Sequence, residues 1–466
     1  MRTIGRSGRQ LGILLALLAL IGSAGCGPPP PPNILLVTID TLRADAVGAY
    51  GGPVATPTLD RLAREGTLFE QAIAPASQTT PSHATLFTGQ EVLHHGALRN
   101  GIPLANTAET LAEVFQRNGY ATAAFASSFV LDPRFGWNQG FDHYDAEFPR
   151  SGETLRSRGG QWRKYEFDGF DRRAAATNSR ALPWLESVDE PFFLFVHYFD
   201  PHAPYAALPA GAARLPSGFA RAAASERIEA LRKTLPGLTL EALVLALRNY
   251  QAEVLAVDAA LGRLLAGLES RGLGNRTLVV VTADHGEGLG QHGTLDHAPN
   301  IYEEQLRVPL LIRWPKHVPA GRRIAEPVGL IDLAPTIAAA ASLAFDGRPD
   351  GRSLLAALES GSVAEPRPIF GRRRNYPRPY QGHRGTLFFV RDGYWKLIRA
   401  TENEDELYDL AADPSERSNL FTTQPNVSER LAALLDEALA RHPDRTLEVA
   451  PSTEVRRGLE ALGYVE

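Results

Sequence analysis

The stretch Ser77-Gln78-Thr79-Thr80-Pro81-Ser82-His83-Ala84-Thr85-Leu86-Phe87-Thr88-Gly89 sets hydroxyls and a proline at the start of a helical pattern. Thr80 suits the N-cap, and Pro81 suits the first helical position, where its missing N–H would have no partner anyway. Thr79 then projects near free amides and the positive end of the helix dipole, a setting that favours anions. A hydroxyl held there can attack a phosphorus or sulfur centre. Two further spots carry hard ligands: Asp40 after the run Asn33–Ile39, and Asp284-His285 after Thr277–Thr282. Each has a bland reading if taken alone, as an ordinary helix cap, a turn-capping aspartate and a surface turn. In this order they form a coherent shell. Two carboxylates, one imidazole and one hydroxyl can hold a single divalent cation. Such an ion would lower the pKa of the Thr79 hydroxyl and neutralise charge on an attacked ester.

These side chains need a scaffold that brings strand ends together. Asn33–Ile39, Pro191–Phe199 and Thr277–Thr282 are short apolar, branched runs, the signature of buried parallel strands. In open α/β sheets ligands gather at the strand C-termini, where Asp40, Asp284 and the segment Asp200-Pro201-His202 fall. Helical patterns alternate with these runs. They cover Thr56–Ala63, Leu111–Asn118 with Gly119 as a stop, Asp332–Leu343, and Leu240–Leu268, the longest, which ends at Arg271-Gly272. The order β, α, β, α predicts an α/β fold with a doubly wound, mainly parallel sheet flanked by helices. After Gly371 the segments Gly385–Val390 and Tyr394–Arg399 alternate as antiparallel strands do, and a helix is expected over Val427–Arg441. A smaller C-terminal antiparallel sheet subdomain follows from this, then a polar tail. Residues 131–172 show no period and read as loops over the active face that select the substrate. Residues 206–240 read as irregular or helical.

The 466 residues suffice for one large domain or two modest ones, and a net charge of −5 with no long basic run argues against nucleic acid as a partner. The chain has one cysteine, Cys26, so the body holds no disulfide, no Cys-based metal site and no cysteine nucleophile. Residues 1–26 read as an export signal. Arg2, Arg6 and Arg9 precede the apolar run Leu11–Ile21, which is too short for a comfortable span, and small residues lead to Cys26. The pattern resembles a bacterial lipoprotein signal with Cys26 as the lipidated residue, although Ser23 stands where such signals usually carry leucine. Gly27 and Pro28–Pro32, residues 27–32, then form a stiff tether. The expected location is the bacterial envelope or periplasm, with the protein held to the membrane by its lipid.

The body resembles the sulfatase family of the alkaline phosphatase superfamily. The matching segments are NILLVTIDTLRAD, TPTLDRLAREG, TTPSHATLFTG, FLFVHYFDPHAPY, YQAEVLAVDAALGRLLAGLESRG, TLVVVTADHGEGLGQHG, YEEQLRVPLLI and ELYDLAADPSERSNL, spread from Asn33 to about Leu420. The resemblance implies a catalytic domain over 33–365, a C-terminal subdomain and tail over 366–466, and hydrolysis of sulfate or phosphate esters. It implies one divalent metal, with Ca, Mg, Mn and Zn not distinguished, at Asp40, Thr79, Asp284 and His285. It places Thr79 at the nucleophile position, His202 near the leaving group, and Asn100, His297 and His83 on the substrate. The substrate would be a small-molecule, glycan or lipid ester. His292 lies in a family-like Gly-x-His-Gly turn.

Departures from the family pattern are as informative. Sulfatases convert a Cys or Ser to formylglycine, and Thr79 cannot undergo that conversion, so no formylglycine is expected. The motif arginine is His83, the second Asp of the usual pair is Thr41, and the usual Gly-Lys-x-His appears as Ala126-Ser127-Ser128-Phe129. Threonine nucleophiles are typical of superfamily relatives that act on phosphodiesters or transfer phospho-alcohols. A formylglycine hydrate expels sulfate by collapsing to the aldehyde, whereas a threonine ester must be attacked by water. This chemistry favours phosphate or phosphonate esters over sulfate. Two other readings stay open: a phospho-alcohol transferase acting on the cell envelope, and an inactive anion-binding lipoprotein.

Overall fold

The computed structural model describes residues 30–148, 154–158, 161–165, 171–205, 217–233, 235, 237–374, 385–442, 456 and 459. The leader, Cys26 and the first half of the tether lie outside them. No helix among the described residues is long and apolar enough to cross a membrane.

The strands in chain order are β1 (Asn33–Ile39), β2 (Thr67–Ile73), β3 (Ala121–Phe125), β4 (His143–Asp145), β5 (Thr154–Arg158), β6 (Gln161–Tyr165), β7 (Phe192–Tyr198), β8 (Thr277–Ala283), β9 (Arg307–Arg313), β10 (Arg322–Ile324), β11 (Val328–Gly329), β12 (Ile369–Arg373), β13 (Leu387–Asp392), β14 (Trp395–Ala400) and β15 (Glu406–Asp409). The main sheet runs β10-β2-β9-β8-β1-β7-β3-β4, with β11 also on β2. β9 is antiparallel to both its neighbours, and the other described pairings are parallel. β12 to β15 form the separate antiparallel sheet. The fold class expected from the strand pattern is therefore the one observed.

Every residue of β1, β7 and β8 is buried. That is why these segments are continuously apolar instead of alternating: helices cover both faces of a central parallel strand. The helix Leu240–Ser270 packs against those at Ala174–Ser187 and Ser217–Arg232. It buries Asp258, whose carboxylate accepts from the backbone N–H groups of Thr58 (3.1 Å) and Leu59 (2.9 Å). Asp258 thus caps the helix Pro57–Glu65 from a distant element, a role worth about 1 kcal/mol. The helix Pro425–Arg441 lays Leu431 and Leu435 on the small sheet.

Two local expectations change, and the open irregular-or-helical reading of 206–240 is met in part by a helix. The aperiodic 131–172 region contains β4 and the β5–β6 hairpin. The 206–240 region contains the helix Ser217–Arg232. The tail read as polar delivers Leu459, fully buried, against the Asn100–Gly101 turn; a Cβ on Gly101 would come within 2.5 Å of the Leu459 side chain.

Candidate active site

β7, β1 and β8 lie side by side with Thr38 level with both His197 and Thr282. Their C-terminal ends therefore bring Asp40 and Asp284 to neighbouring points on one sheet edge. His285 Nε2 sits 3.7 Å from Asp40 Oδ1 and 3.5 Å from Asp284 Oδ2. Its Nδ1 donates to the Gly286 carbonyl at 2.9 Å, which leaves the Nε2 lone pair facing the carboxylates. A Cβ at position 286 would lie 2.2 Å from the Glu304 carbonyl, so only glycine permits this turn. Thr79 Oγ1 approaches the same Nε2 to 3.5 Å. The structure thus gathers Asp40, Thr79, Asp284 and His285, all fully buried.

Among the described residues, neither oxygen of Asp40 nor Oδ2 of Asp284 has a hydrogen-bond partner. Burying such acceptors unsatisfied is costly, and a divalent cation supplies the missing interaction. Two carboxylates, an imidazole lone pair and a hydroxyl are donors that such an ion accepts, so these residues fit one metal ion. Burial and the adjacent Asp284 charge hold the Asp40 carboxyl well above its usual range, while His285 and His297 pull the other way. Burial also opposes ionisation of Asp284, but His285, His83 and His197 outweigh it and keep it below its usual range.

The helix that begins at Thr79 spans Thr79–Thr88. Its N-cap is Gln78, with no side-chain cap of its own, and Thr80 lies inside the first turn. The cap comes from elsewhere: Asn100 Oδ1 accepts the Thr80 N–H at 2.8 Å. The Asn100 Nδ2 donor is buried without a partner among the described residues. His83 lies one turn along. Its Nδ1 donates to the Thr79 carbonyl (2.9 Å) and lies 3.7 Å from Asp284 Oδ2, and its Nε2 accepts from Thr38 Oγ1 (2.9 Å). Burial lowers the His83 ring to about 4, with Asp284 opposing and His197 reinforcing. His83 is therefore a neutral strut between the Thr79–Thr88 helix, β1 and Asp284, without the charge of an arginine.

His297 returns to the site on a hairpin-like loop. Gly288 and Asp296 exchange backbone hydrogen bonds at 3.2 and 3.1 Å, and Gly290 donates to the Thr294 carbonyl at 2.7 Å. The His297 ring stacks on His285 with centroids 4.7 Å apart and meets His202 edge-on at 4.7 Å. Burial pushes the His297 ring down, but Glu287, Asp296 and Asp40 outweigh it and lift it to about 9. His297 is thus a cation at neutral pH. His202 stacks on Phe199 (4.3 Å), and its Nδ1 bonds the Ala203 carbonyl.

Three buried polar positions beside this shell escape a pattern reading. His197 is a polar residue inside an apolar strand. Its Nδ1 accepts from the Ser127 N–H at 3.3 Å, which places the proton on Nε2, 3.5 Å from Asp40 Oδ2. Burial holds it near 4, hence neutral. Glu287, fully buried, lies 3.4 Å from His297 Nδ1 and supplies the negative charge beside it. Thr41 adopts φ 55, a left-handed conformation that costs a β-branched residue about 1–3 kcal/mol. Tyr250 Oη donates to its carbonyl (2.9 Å), and its N–H points to Asp284 Oδ1 (3.4 Å). The one polar residue in an apolar run, and the acid two places beyond Asp-His, were the available signals for the first two.

Comparison with known proteins shows a hydrolase acting on sulfate or phosphate esters. The chain belongs to the sulfatase family: the sulfatase model matches residues 32–343, and the model of the N-sulphoglucosamine sulphohydrolase C-terminal region matches 290–443. N-acetylglucosamine-6-O-sulfatase of Bacteroides thetaiotaomicron is 27% identical, across 92% of this chain and 91% of its own length. The multifunctional alkaline phosphatase superfamily protein PehA of Trinickia caryophylli is also 27% identical, across 89% and 96%. The solved phosphonate monoester hydrolase of Agrobacterium radiobacter superposes with a TM-score of 0.70 at 25% identity, covering 89% of this chain and 97% of that one.

Proposed function

We propose that this protein is a metal-dependent hydrolase of phosphate or phosphonate esters in which Thr79 is the nucleophile. The observation that carries the reading is the Thr79 hydroxyl 3.5 Å from His285 Nε2 of the Asp40–Asp284–His285 shell, and we read Thr79 as standing at the family's formylglycine position. Threonine carries a single hydroxyl, so its ester cannot collapse to an aldehyde and must be cleaved by water, an attack that suits phosphorus. The similarity to a phosphonate monoester hydrolase supports a phosphorus substrate.

Asp40, Thr79, Asp284 and His285 would hold one divalent cation, which when bound lowers the hydroxyl pKa and neutralises ester charge. Asn100 Nδ2 and the His297 cation are donors for the non-bridging oxygens. The Thr79 oxygen, its proton lost to solvent, bonds to phosphorus as the bond to the alcohol oxygen breaks, and the departing alcohol takes a proton from the His202–His297 pair, which regains it from the water that later attacks phosphorus. Water then cleaves the phospho-threonine, freeing phosphate or phosphonate and restoring the hydroxyl. His83 and His197, both neutral, position Thr79, Asp284 and Asp40 from behind.

The substrate class is a small-molecule, glycan or lipid ester, and the leader reading makes the protein an envelope lipoprotein attached through Cys26. Palmitate labelling that survives Cys26→Ser would refute the attachment. For the activity, aryl phosphodiester, phosphonate ester and aryl sulfate are compared with Mn2+, Zn2+ or Ca2+. The reading expects turnover of a phosphorus ester that disappears in Thr79→Ala. Turnover confined to aryl sulfate sinks the phosphorus preference, and absence of all turnover favours an anion-binding protein.

A further inference from the structure

We propose that His94, Asp350 and His442 form a surface site for one Zn2+-type ion that fastens the C-terminal helix to the catalytic body. His94 lies in the helical turn Val92–His95, Asp350 in a loop, and His442 at the end of the helix Pro425–Arg441. Chain-distant elements thus deliver two imidazoles and a carboxylate to one spot. His94 Nδ1 is 2.8 Å from Asp350 Oδ2, and His442 Nε2 is 3.8 Å from Asp350 Oδ1. The two rings are nearly parallel, with centroids 4.3 Å apart and planes at 11°. One ligand atom from each residue lies within 4.8 Å of the other two.

Imidazole nitrogens with one carboxylate oxygen suit Zn2+, Ni2+ or Cu2+ better than the hard cations, with water completing the shell. The site is already organised. Asp350 Oδ2 also accepts the Glu91 N–H at 2.9 Å, and its carbonyl accepts Arg367 at 2.7 Å. The side chains are 31%, 24% and 21% exposed, so an ion can enter without unfolding. Glu91 offsets the nearby Arg441 guanidinium at 3.0 Å. None of the three residues belongs to the Thr79 shell. On the body side, the neighbouring His95 bonds Thr85 Oγ1 of the nucleophile helix at 3.0 Å. An ion bound here would therefore tie the last helix to the element that carries Thr79, stabilising the folded chain by mass action.

The test is calorimetric titration of the metal-free full chain with Zn2+, in parallel with the double variant His94→Ala/His442→Ala. The site predicts that the variant binds one fewer Zn2+ per chain, hydrolyses ester at the wild-type rate when supplied with its metal, and loses part of the Zn2+-induced rise in melting temperature. A Cu2+ spectrum with nitrogen coupling that vanishes in the variant would agree. Equal Zn2+ stoichiometry and equal thermal shifts in the two proteins would overturn the proposal.

Discussion

Replacing Asp40 by asparagine separates what the site does for function from what it does to stability. Both Asp40 oxygens are buried without partners, and burial together with Asp284 resists the charge. Asparagine keeps the volume, removes the charge, and gains an amide that can donate toward Asp284 or His285. Relieving an unsatisfied buried acceptor is worth about 1–3 kcal/mol. A chain of 466 residues unfolds with an entropy near 1 kcal/mol/K at ~2 cal/mol/K per residue, so the metal-free variant should melt ~1–3 °C higher than wild type. The difference depends on pH. Folding raises the Asp40 carboxyl above 3.8, so the folded protein binds the extra proton and wild-type stability falls as pH rises through the raised value. Asp40→Asn removes that slope. Scanning calorimetry in chelator at pH 5 and pH 8 should show the variant's advantage growing at pH 8, while added Mn2+ raises only the wild-type melting point and ester turnover is lost. A metal-free variant less stable than wild type at pH 8, or equal metal-induced shifts in both proteins, would refute a cation shell built on Asp40.

Glu287→Gln should move the alkaline limb of the pH–rate profile. His297 titrates at about 9, so turnover that needs its proton declines through that pH; without Glu287 the limb should fall by about 1–3 pH units. The raised value also stabilises the fold, fully below the ordinary 6.5 and progressively less as pH rises through about 9, so the variant's stability deficit should vanish at high pH. His292→Ala tests the loop that carries His297. His292 Nδ1 bonds Glu304 Oε1 at 2.8 Å, its Nε2 donates to the Glu416 carbonyl at 3.1 Å, and its ring stacks on Tyr302 at 3.7 Å. Losing a charge-assisted bond of about 1.5 kcal/mol should lower kcat/KM roughly tenfold, with circular dichroism unchanged.

The strands that build the site were legible because central parallel strands are short, branched and apolar from end to end. Asp40 and Asp284-His285 stood out as the polar residues that end them. What escaped depends on three-dimensional neighbours. Thr80 looked like the cap of the nucleophile helix, yet the helix begins at Thr79 and Asn100, twenty positions on, supplies the acceptor. Asp258 does the same for Pro57–Glu65, and no local pattern contains it. His197 reads as one more buried position of β7 until β1 places Asp40 beside it. His83 looked like a weakened arginine for the substrate, but the backbone of its own helix and Thr38 engage both nitrogens. The β5–β6 hairpin is built from the sequences TLRSR and QWRKY, which lack the regular alternation that marks a half-buried strand.

Mass spectrometry of the acid-quenched enzyme during turnover of a slow phosphonate or phosphodiester substrate tests the role of Thr79 most directly. A phosphoryl or phosphonyl group is predicted on Thr79, retained in Thr79→Ser and absent from Thr79→Ala along with all turnover. Undiminished turnover in Thr79→Ala, or an adduct on another residue, would contradict it.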